Sequence, residues 1–293
     1  MPHGLMIVNA FLRLPKFDEL YQIVSEAAKE CGMTLSVQTN AELSPMVDSA
    51  EFDASAYDFV LFWDKDVALA TQLAQRGLPV FNSAESILRC DDKAMTYLTL
   101  KQAGIPMPRT ILAPKTYPAF GYTDLAFVDA AAATLGFPLV LKECFGSFGM
   151  QVYLFDTLEP LREKVRTLAG TPMLFQTMVK ESRGRDVRVN VVGERVVASI
   201  LRTSTSGDFR SNLSLGGTMQ TYVPSTAETE LALAAVRALG LTFAGVDVLF
   251  GKDGPLICEV NSNAHFKTTL ACTGVNMAVE LFREIAQQLE ART

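Results

Sequence analysis

The sequence predicts an α/β protein, α+β in part, with a parallel α/β unit at its N-terminus and a strand-rich unit at its C-terminus. Three observations carry this expectation. The first 90 residues run β-α-β-β-α-β, with near-continuously apolar strands that suit a parallel sheet covered on both faces. From Met173 onward most segments alternate apolar and polar residues, as strands do. The chain has 293 residues, 49% of them hydrophobic and 20% charged, enough for about two domains at ~150 residues each. Breaks in the pattern divide it further into three blocks, the second beginning near Asp91 and the third, mostly strands, at Met173.

Each element has its own reason. Leu5–Phe11 is an apolar strand. Phe17, Leu20, Val24, Ala27 and Cys31 then share one face of a helix that Gly32 ends. TLSVQ and Tyr57–Trp63 are strands, DVALATQLAQR is a helix closed by Gly77, and PVFN is the next strand. DDKAMTYLTLKQA, from Asp91, is a helix stopped by Gly104. IPMPRTILAPKTYP is an extended linker and strand, because proline disfavours helix before it. A helix over Phe127–Leu135, the strand PLVLKE, the loop FGSFG, the strand QVYLF and a helix over Leu158–Leu168 follow. The last block reads as the strands MLFQTMV, DVRVNVVG, RVVASILR, MQTYV, AGVDVLFG and PLICEVN. A helix capped by Ser225 runs to Leu239 among them, and a final helix spans Gly274–Arg292.

Composition excludes several chemistries. With two histidines, His3 and His265, a zinc cluster or a Ser-His-Asp triad has little to rest on. The five cysteines form no C-x-x-C pair and read as reduced core thiols of a cytoplasmic protein. A net charge of -6 argues against nucleic-acid binding. No apolar run reaches the ~20 residues of a membrane span, and the N-terminus reads as a strand and not a signal peptide.

Three stretches carry candidate chemistry. In AGVDVLFGKDGPLICEVNSN two apolar strands flank a Lys252-Asp253-Gly254 turn, read as a three-residue hairpin loop. Counting back from Gly251 opposite Pro255 places Asp247 opposite Glu259, with Asn261 on the same side as Glu259. Like charges facing each other are destabilising, so three oxygen donors on one face call for a cation, Mg²⁺ or Mn²⁺. The alternative is two solvated carboxylates on an exposed face. In PLVLKECFGSFGMQVYLF, Lys142 sits in a strand expected to be buried, and the glycines from Gly146 to Gly149 let backbone amides approach an anion. The alternative is an ordinary hairpin with a flexible turn. The dinucleotide and P-loop glycine fingerprints are both missing, which argues against an oxidoreductase or a P-loop reading. In DVRVNVVGERVVASILR, Asp186, Arg188 and Arg202 lie on neighbouring strands. Arg210, Ser211, Asn212, Gly216 and Gly217 follow in SGDFRSNLSLGG. Arginine suits bidentate capture of carboxylate or phosphate, and three converging arginines suit an anion site; a solvated strand face is the other reading. Lys93 reads only as a solvated helix lysine, and His265 as either a substrate contact or a structural residue.

These residues, in this order, resemble the ATP-grasp superfamily and within it the RimK-like carboxylate–amine ligases. The resemblance spans nearly the whole chain and is strongest over DDKAMTYLTLKQAGIPMPRT, PLVLKECFGSFGMQV, GRDVRVNVVGERVVASILR, GDFRSNLSLGG and AGVDVLFGKDGPLICEVNSN. It implies an N-terminal pre-ATP-grasp domain over 1–90, a central lid subdomain over 91–178 and a mixed-sheet catalytic domain over 179–293. It also implies that Lys93 and Lys142 bind ATP phosphates and that Gly146, Ser147, Phe148 and Gly149 close over them. Gln176, Met178 and Val179 would hold adenine, and Asp186 the ribose. Asp247, Glu259 and Asn261 would hold two Mg²⁺ (or Mn²⁺) ions. Arg188, Arg202 and Arg210 would act on the transferred phosphoryl group, with Arg188, Arg210, Ser211, Asn212, Gly216 and Gly217 binding the acid. The implied reaction phosphorylates a carboxylate of an amino acid such as glutamate, or a related acid, and lets an amine displace phosphate. A peptide or protein tail as substrate and a homo-oligomeric assembly are further implications. Three positions depart from the family pattern: Thr177 stands where Glu is common, Ser214-Leu215 where basic residues are common, and Asn263-Ala264-His265-Phe266 lacks the usual Pro-Gly. The competing expectation is an ATP-grasp protein that binds nucleotide without turnover.

Overall fold

A computed structural model describes residues 1–12, 14–43, 47, 52–146, 149–211 and 217–292. The N-terminal unit contains β1 (His3–Val8), α1 (Pro15–Glu30), β2 (Thr34–Thr39), β3 (Phe59–Trp63), α2 (Val67–Gln75) and β4 (Val80–Phe81). Its sheet has the order β2-β1-β3-β4 and is parallel throughout, as expected. β3 is buried along its whole length, because alternate side chains enter two different cores. Phe59, Leu61 and Trp63 meet α1, while Val60 and Phe62 meet α2.

The helix expected from Asp91 is in fact the second of two. α3 (Ala84–Asp91) ends and α4 (Lys93–Gln102) begins at Asp92, whose extended backbone breaks the run and whose carboxylate accepts from the Ala94 amide at 2.8 Å. The middle block then forms β5 (Thr110–Leu112), α5 (Ala126–Leu135), β6 (Leu139–Glu143), β7 (Val152–Phe155), α6 (Leu158–Thr167) and β8 (Met173–Thr177). Its antiparallel sheet, β5-β8-β6-β7, buries one face under α5 and α6.

The last block holds β9 (Arg185–Val192), β10 (Arg195–Ser204), β11 (Gly217–Thr221), α7 (Thr226–Leu239), β12 (Phe243–Gly251), β13 (Gly254–Asn261), α8 (Lys267–Thr273) and α9 (Met277–Glu290). Its sheet, β11-β10-β9-β12-β13, was expected to be mixed and is antiparallel at every pairing. The reason is connectivity: hairpins join β9 to β10 and β12 to β13, and α7 returns the chain so that β12 runs against β9. Ser225 and Glu228 close the capping box that starts α7. α8 lies in a stretch to which the sequence pattern assigned no element, and it lacks a side-chain cap that would have announced it.

The units are fastened to each other. Tyr97 and Leu100 of α4 pack with Val187, Val189, Val246 and Val248 of the last sheet, and α9 packs between that sheet and α1. Asn82, fully buried, accepts from the Thr242 and Phe243 amides at 2.7 and 3.2 Å. Its amide group donates to Phe243 O and Ser262 O, each at 2.9 Å. Among the described residues no helix is long and apolar enough to cross a membrane.

Candidate active site

The five-stranded sheet places its charged residues by simple alternation. Val187, Val189, Val246, Val248 and Ile257 turn into the core, so the residues between them turn to the opposite face. Arg202 lies directly opposite Asp186, and Asp247 directly opposite both Arg188 and Glu259. The facing of Asp247 and Glu259 was expected from a three-residue turn. The turn has two residues, with Gly251 opposite Gly254, and an extra residue, Cys258, bulges from β13 and restores the pairing.

The like charges are resolved by cations of the protein itself. Arg202 holds Asp186 through two bonds, at 2.8 and 2.5 Å, and reaches Asp247 at 2.9 Å. Arg188 grips both oxygens of Asp247. Glu259 pairs with Lys93 at 3.2 Å. Lys93 is therefore buried, 9% exposed, and not the solvated helix lysine that its sequence context suggested. Lys142 is also buried and donates to Tyr97 Oη at 3.1 Å and to Cys258 O at 3.4 Å. Burial would raise Asp247, yet the two guanidinium groups outweigh it and hold its carboxyl below the usual range. Burial pushes the Cys258 thiol up to about 11, so it is neutral beside Lys142 at pH 7. His265 is lowered by burial and is uncharged at neutral pH.

Two cavities open onto this face. The first, about 100 Å³, lies between the middle and last sheets. Lys93, Lys142, Gly149, Gln176, Met178, Val179, Asp186, Arg210 and Ser211 line it, together with Asp247 and Glu259. The second, about 450 Å³, lies between the N-terminal unit and the last sheet, and Gly146, Arg188, Asn261, Asp64 and His265 are among its lining residues. Lys93, Arg202 and Glu259 line both.

Most of the expected residues are thus gathered, with exceptions. Arg188 and Arg202 converge on Asp247, but Arg210 does not join them. It pairs with Asp208 at 2.8 Å and donates to Gly149 O at 2.6 Å, tying its loop to the glycine flap. Gly217 opens β11 opposite Ser204 and lines neither cavity. Ser147, Phe148, Asn212 and Gly216 lie outside the described residues. Sequence reasoning missed Leu249, which adds an apolar wall to the first cavity, and Asp64, Trp63 and Tyr21, which wall the second. Leu249 was findable as the residue two beyond Asp247 on one strand face. The others depend on how the N-terminal unit docks. The Thr177 hydroxyl is buried without a hydrogen-bond partner at the edge of the first cavity.

Asp247, Glu259 and Asn261 carry the oxygen donors that suit a hard divalent cation, but in this arrangement Arg188 and Arg202 occupy Asp247, Lys93 pairs with Glu259, and Asn261 donates its amide to Gly245 O at 3.4 Å. Among the described residues no group of three His, Cys, Asp or Glu side chains is placed to hold a metal ion.

The comparisons agree with this geometry. The family model described as RimK-like ATP-grasp domain matches residues 90–285. An uncharacterized protein of Mycoplasma pneumoniae is 32% identical over 98% of this chain and 100% of its own. A probable alpha-L-glutamate ligase of Shewanella sp. is 37% identical over 77% of this chain and 73% of its own. The RimK domain ATP-grasp protein of Sphaerobacter thermophilus superposes with a TM-score of 0.73 at 24% identity, covering 96% of this chain and 98% of that one. ATP-grasp ligases of the same fold have been solved with ATP and with Mg and ADP. A match over most of the chain, on a sheet whose charged face joins two cavities, makes this protein a member of the RimK-like ATP-grasp family of ATP-dependent carboxylate–amine ligases.

Proposed function

We propose that the protein condenses an acid and an amine, one of them glutamate or a close relative, through an acylphosphate made from ATP. One observation carries this reading: the two cavities meet at Lys93, Arg202 and Glu259. A nucleotide in the first cavity would present its terminal phosphate at that junction, and an acid in the second would reach it from the other side. The glutamate assignment draws on the name of the Shewanella relative.

We assign the roles as follows. Lys93 and Lys142 hold phosphates, with Gly146 and Gly149 beside them. Gln176, Met178 and Val179 cradle adenine by backbone groups, with Leu249 as an apolar wall, and Asp186 meets the ribose. Arg188 and Arg202 stabilise the transferred phosphoryl group, Arg188 reaches the acid from the second cavity, and Arg210 and Ser211 border the nucleotide in the first. Asp247, Glu259 and Asn261 hold two Mg²⁺ or Mn²⁺ ions. When bound, such ions neutralise charge on the phosphates. For the protein's own residues, the work is positioning and charge stabilisation. A peptide or protein tail as one partner, assembly into a homo-oligomer and a cytoplasmic setting complete the reading; the five free cysteines suit the last.

The test is an ADP-release screen of amino acids and dipeptides in pairs, with ATP and Mg²⁺ and mass spectrometry of the products. Substrate-dependent ADP and a condensed product are expected for at least one pair. Tight ATP binding by calorimetry with no turnover across the panel would instead make the protein a nucleotide binder.

A further inference from the structure

Amide formation requires an amine that is protonated at neutral pH to lose protons, and among the described residues the carboxylates on the charged face of the sheet are all paired. Asp186 and Asp247 are held by arginine, and Glu259 by Lys93. Across the second cavity stands Asp64, at the end of β3, 7% exposed. Its oxygens accept only uncharged donors: Asn9 Nδ2 at 3.2 and 3.3 Å and the Lys65 amide at 2.7 Å. The Lys65 ammonium turns away to Asp91. Among the described residues Asp64 has no ion-pair partner, unusual for a carboxylate so buried. Its place is fixed, because Asn263 donates to its backbone carbonyl at 2.6 Å.

We propose that Asp64 receives the ammonium group of the amine substrate and takes its proton, making the N-terminal wall of this cavity the amine subsite. The inference rests on the ligase reading above. Trp63, Tyr21 and Phe17 line the same wall and lower its polarity, and the Lys16 ammonium at its rim lies over the Phe17 ring at 5.1 Å. Burial raises the Asp64 carboxyl above its ordinary value, as a proton acceptor needs, with Asp66 adding to the rise and Lys65 opposing it. Tyr21, pushed up to about 12 by burial and by the charge of Asp64, stays neutral. His265 lines this cavity too, but its Nε2 is turned to Lys16 O at 3.4 Å and its ring packs edge-on against Phe17.

The step balances. One proton passes from the ammonium to Asp64, and the nitrogen lone pair attacks the acylphosphate carbonyl. The C–N bond forms, the C–O bond to phosphate breaks with its electron pair, and the second nitrogen proton leaves on the phosphate.

Hydroxylamine separates the roles, because it is largely uncharged at neutral pH and attacks acylphosphates without a base. The full chain is given ATP, Mg²⁺ and each of the twenty amino acids as acid, with hydroxylamine or a second amino acid as nucleophile. In Asp64→Asn, amide formation is expected to fall ~100-fold or more while hydroxamate formation stays within a few-fold of wild type. Equal loss of both, or undiminished amide formation, overturns the proposal. No hydroxamate from wild type with any acid sinks the ligase reading and this inference together. If the variant does not fold, wild type decides alone. The KM for the amine should stay level from pH 7 to 9, whereas a tenfold fall per pH unit would mean that the neutral amine binds.

Discussion

Arg202 and Asp247 meet at 2.9 Å under the cleft, each more than nine-tenths buried, and the same guanidinium also clasps Asp186 on the neighbouring strand. One cation thus bridges two carboxylates beneath the point where the cavities join. Asp247→Asn should be destabilised by ~3–5 kcal/mol, because it leaves Arg188 and Arg202 buried with too little negative charge. Urea denaturation, read as a lowered midpoint at unchanged slope, checks this; an unchanged midpoint would show the pair to be energetically idle.

Glu259 behaves differently. Its side chain is 30% exposed, so its removal strands less charge. Glu259→Ala should lose ~100-fold or more of acid-dependent ADP release while unfolding near the wild-type temperature. Turnover undiminished in this variant would remove Glu259 from the metal set.

Asn82 carries four hydrogen bonds from the N-terminal unit to the last sheet and the loop after it. At ~1 kcal/mol each, Asn82→Ala should cost about 3–4 kcal/mol. Ser262 borders the second cavity, so the KM for an acid or amine should rise more than kcat falls. Steady-state kinetics on the folded variant would read the split.

Gly245 has no room for a side chain. A Cβ there would lie 2.7 Å from Ala264 Cβ and 3.0 Å from Arg188 Nη1. Gly245→Ala should therefore displace Arg188, cost ~1–3 kcal/mol and lower kcat. Full activity in this variant would mean that Arg188 tolerates displacement.

Because burial lowers the pKa of His265, protons bind the unfolded chain more readily than the folded one. The stability that His265 contributes is present above its unfolded pKa of about 6.5 and is lost as pH falls through the lower folded value. Melting temperature should decline below about pH 6.5, and His265→Gln should flatten that decline. An identical pH profile in the variant would place the sensitivity elsewhere.

Much of this was legible from local pattern. The parallel first sheet, the hairpin of Asp247 and Glu259 and the buried strand of Lys142 follow from hydrophobic period and turn residues. The Asp247–Glu259 pairing was reached with a turn one residue too long, and the bulge at Cys258 supplied the missing count. Local pattern failed at α3 and α8, short helices whose limits depend on what they pack against. It failed at Lys93 too, since nothing near it in the chain announces Glu259, 166 residues away.

The sequence by itself determined which residue types could hold phosphate, metal and acid, and which strand faces would bear them. That is because alternation along a strand and the glycines of a turn are properties of neighbouring residues. Tertiary structure alone decided that Arg188 and Arg202, but not Arg210, share Asp247, that Lys93 closes on Glu259, and that Asp64 lines the second cavity with no counter-ion among the described residues. These depend on strand order and on how one unit docks against another, where groups far apart in the chain settle each other's charge.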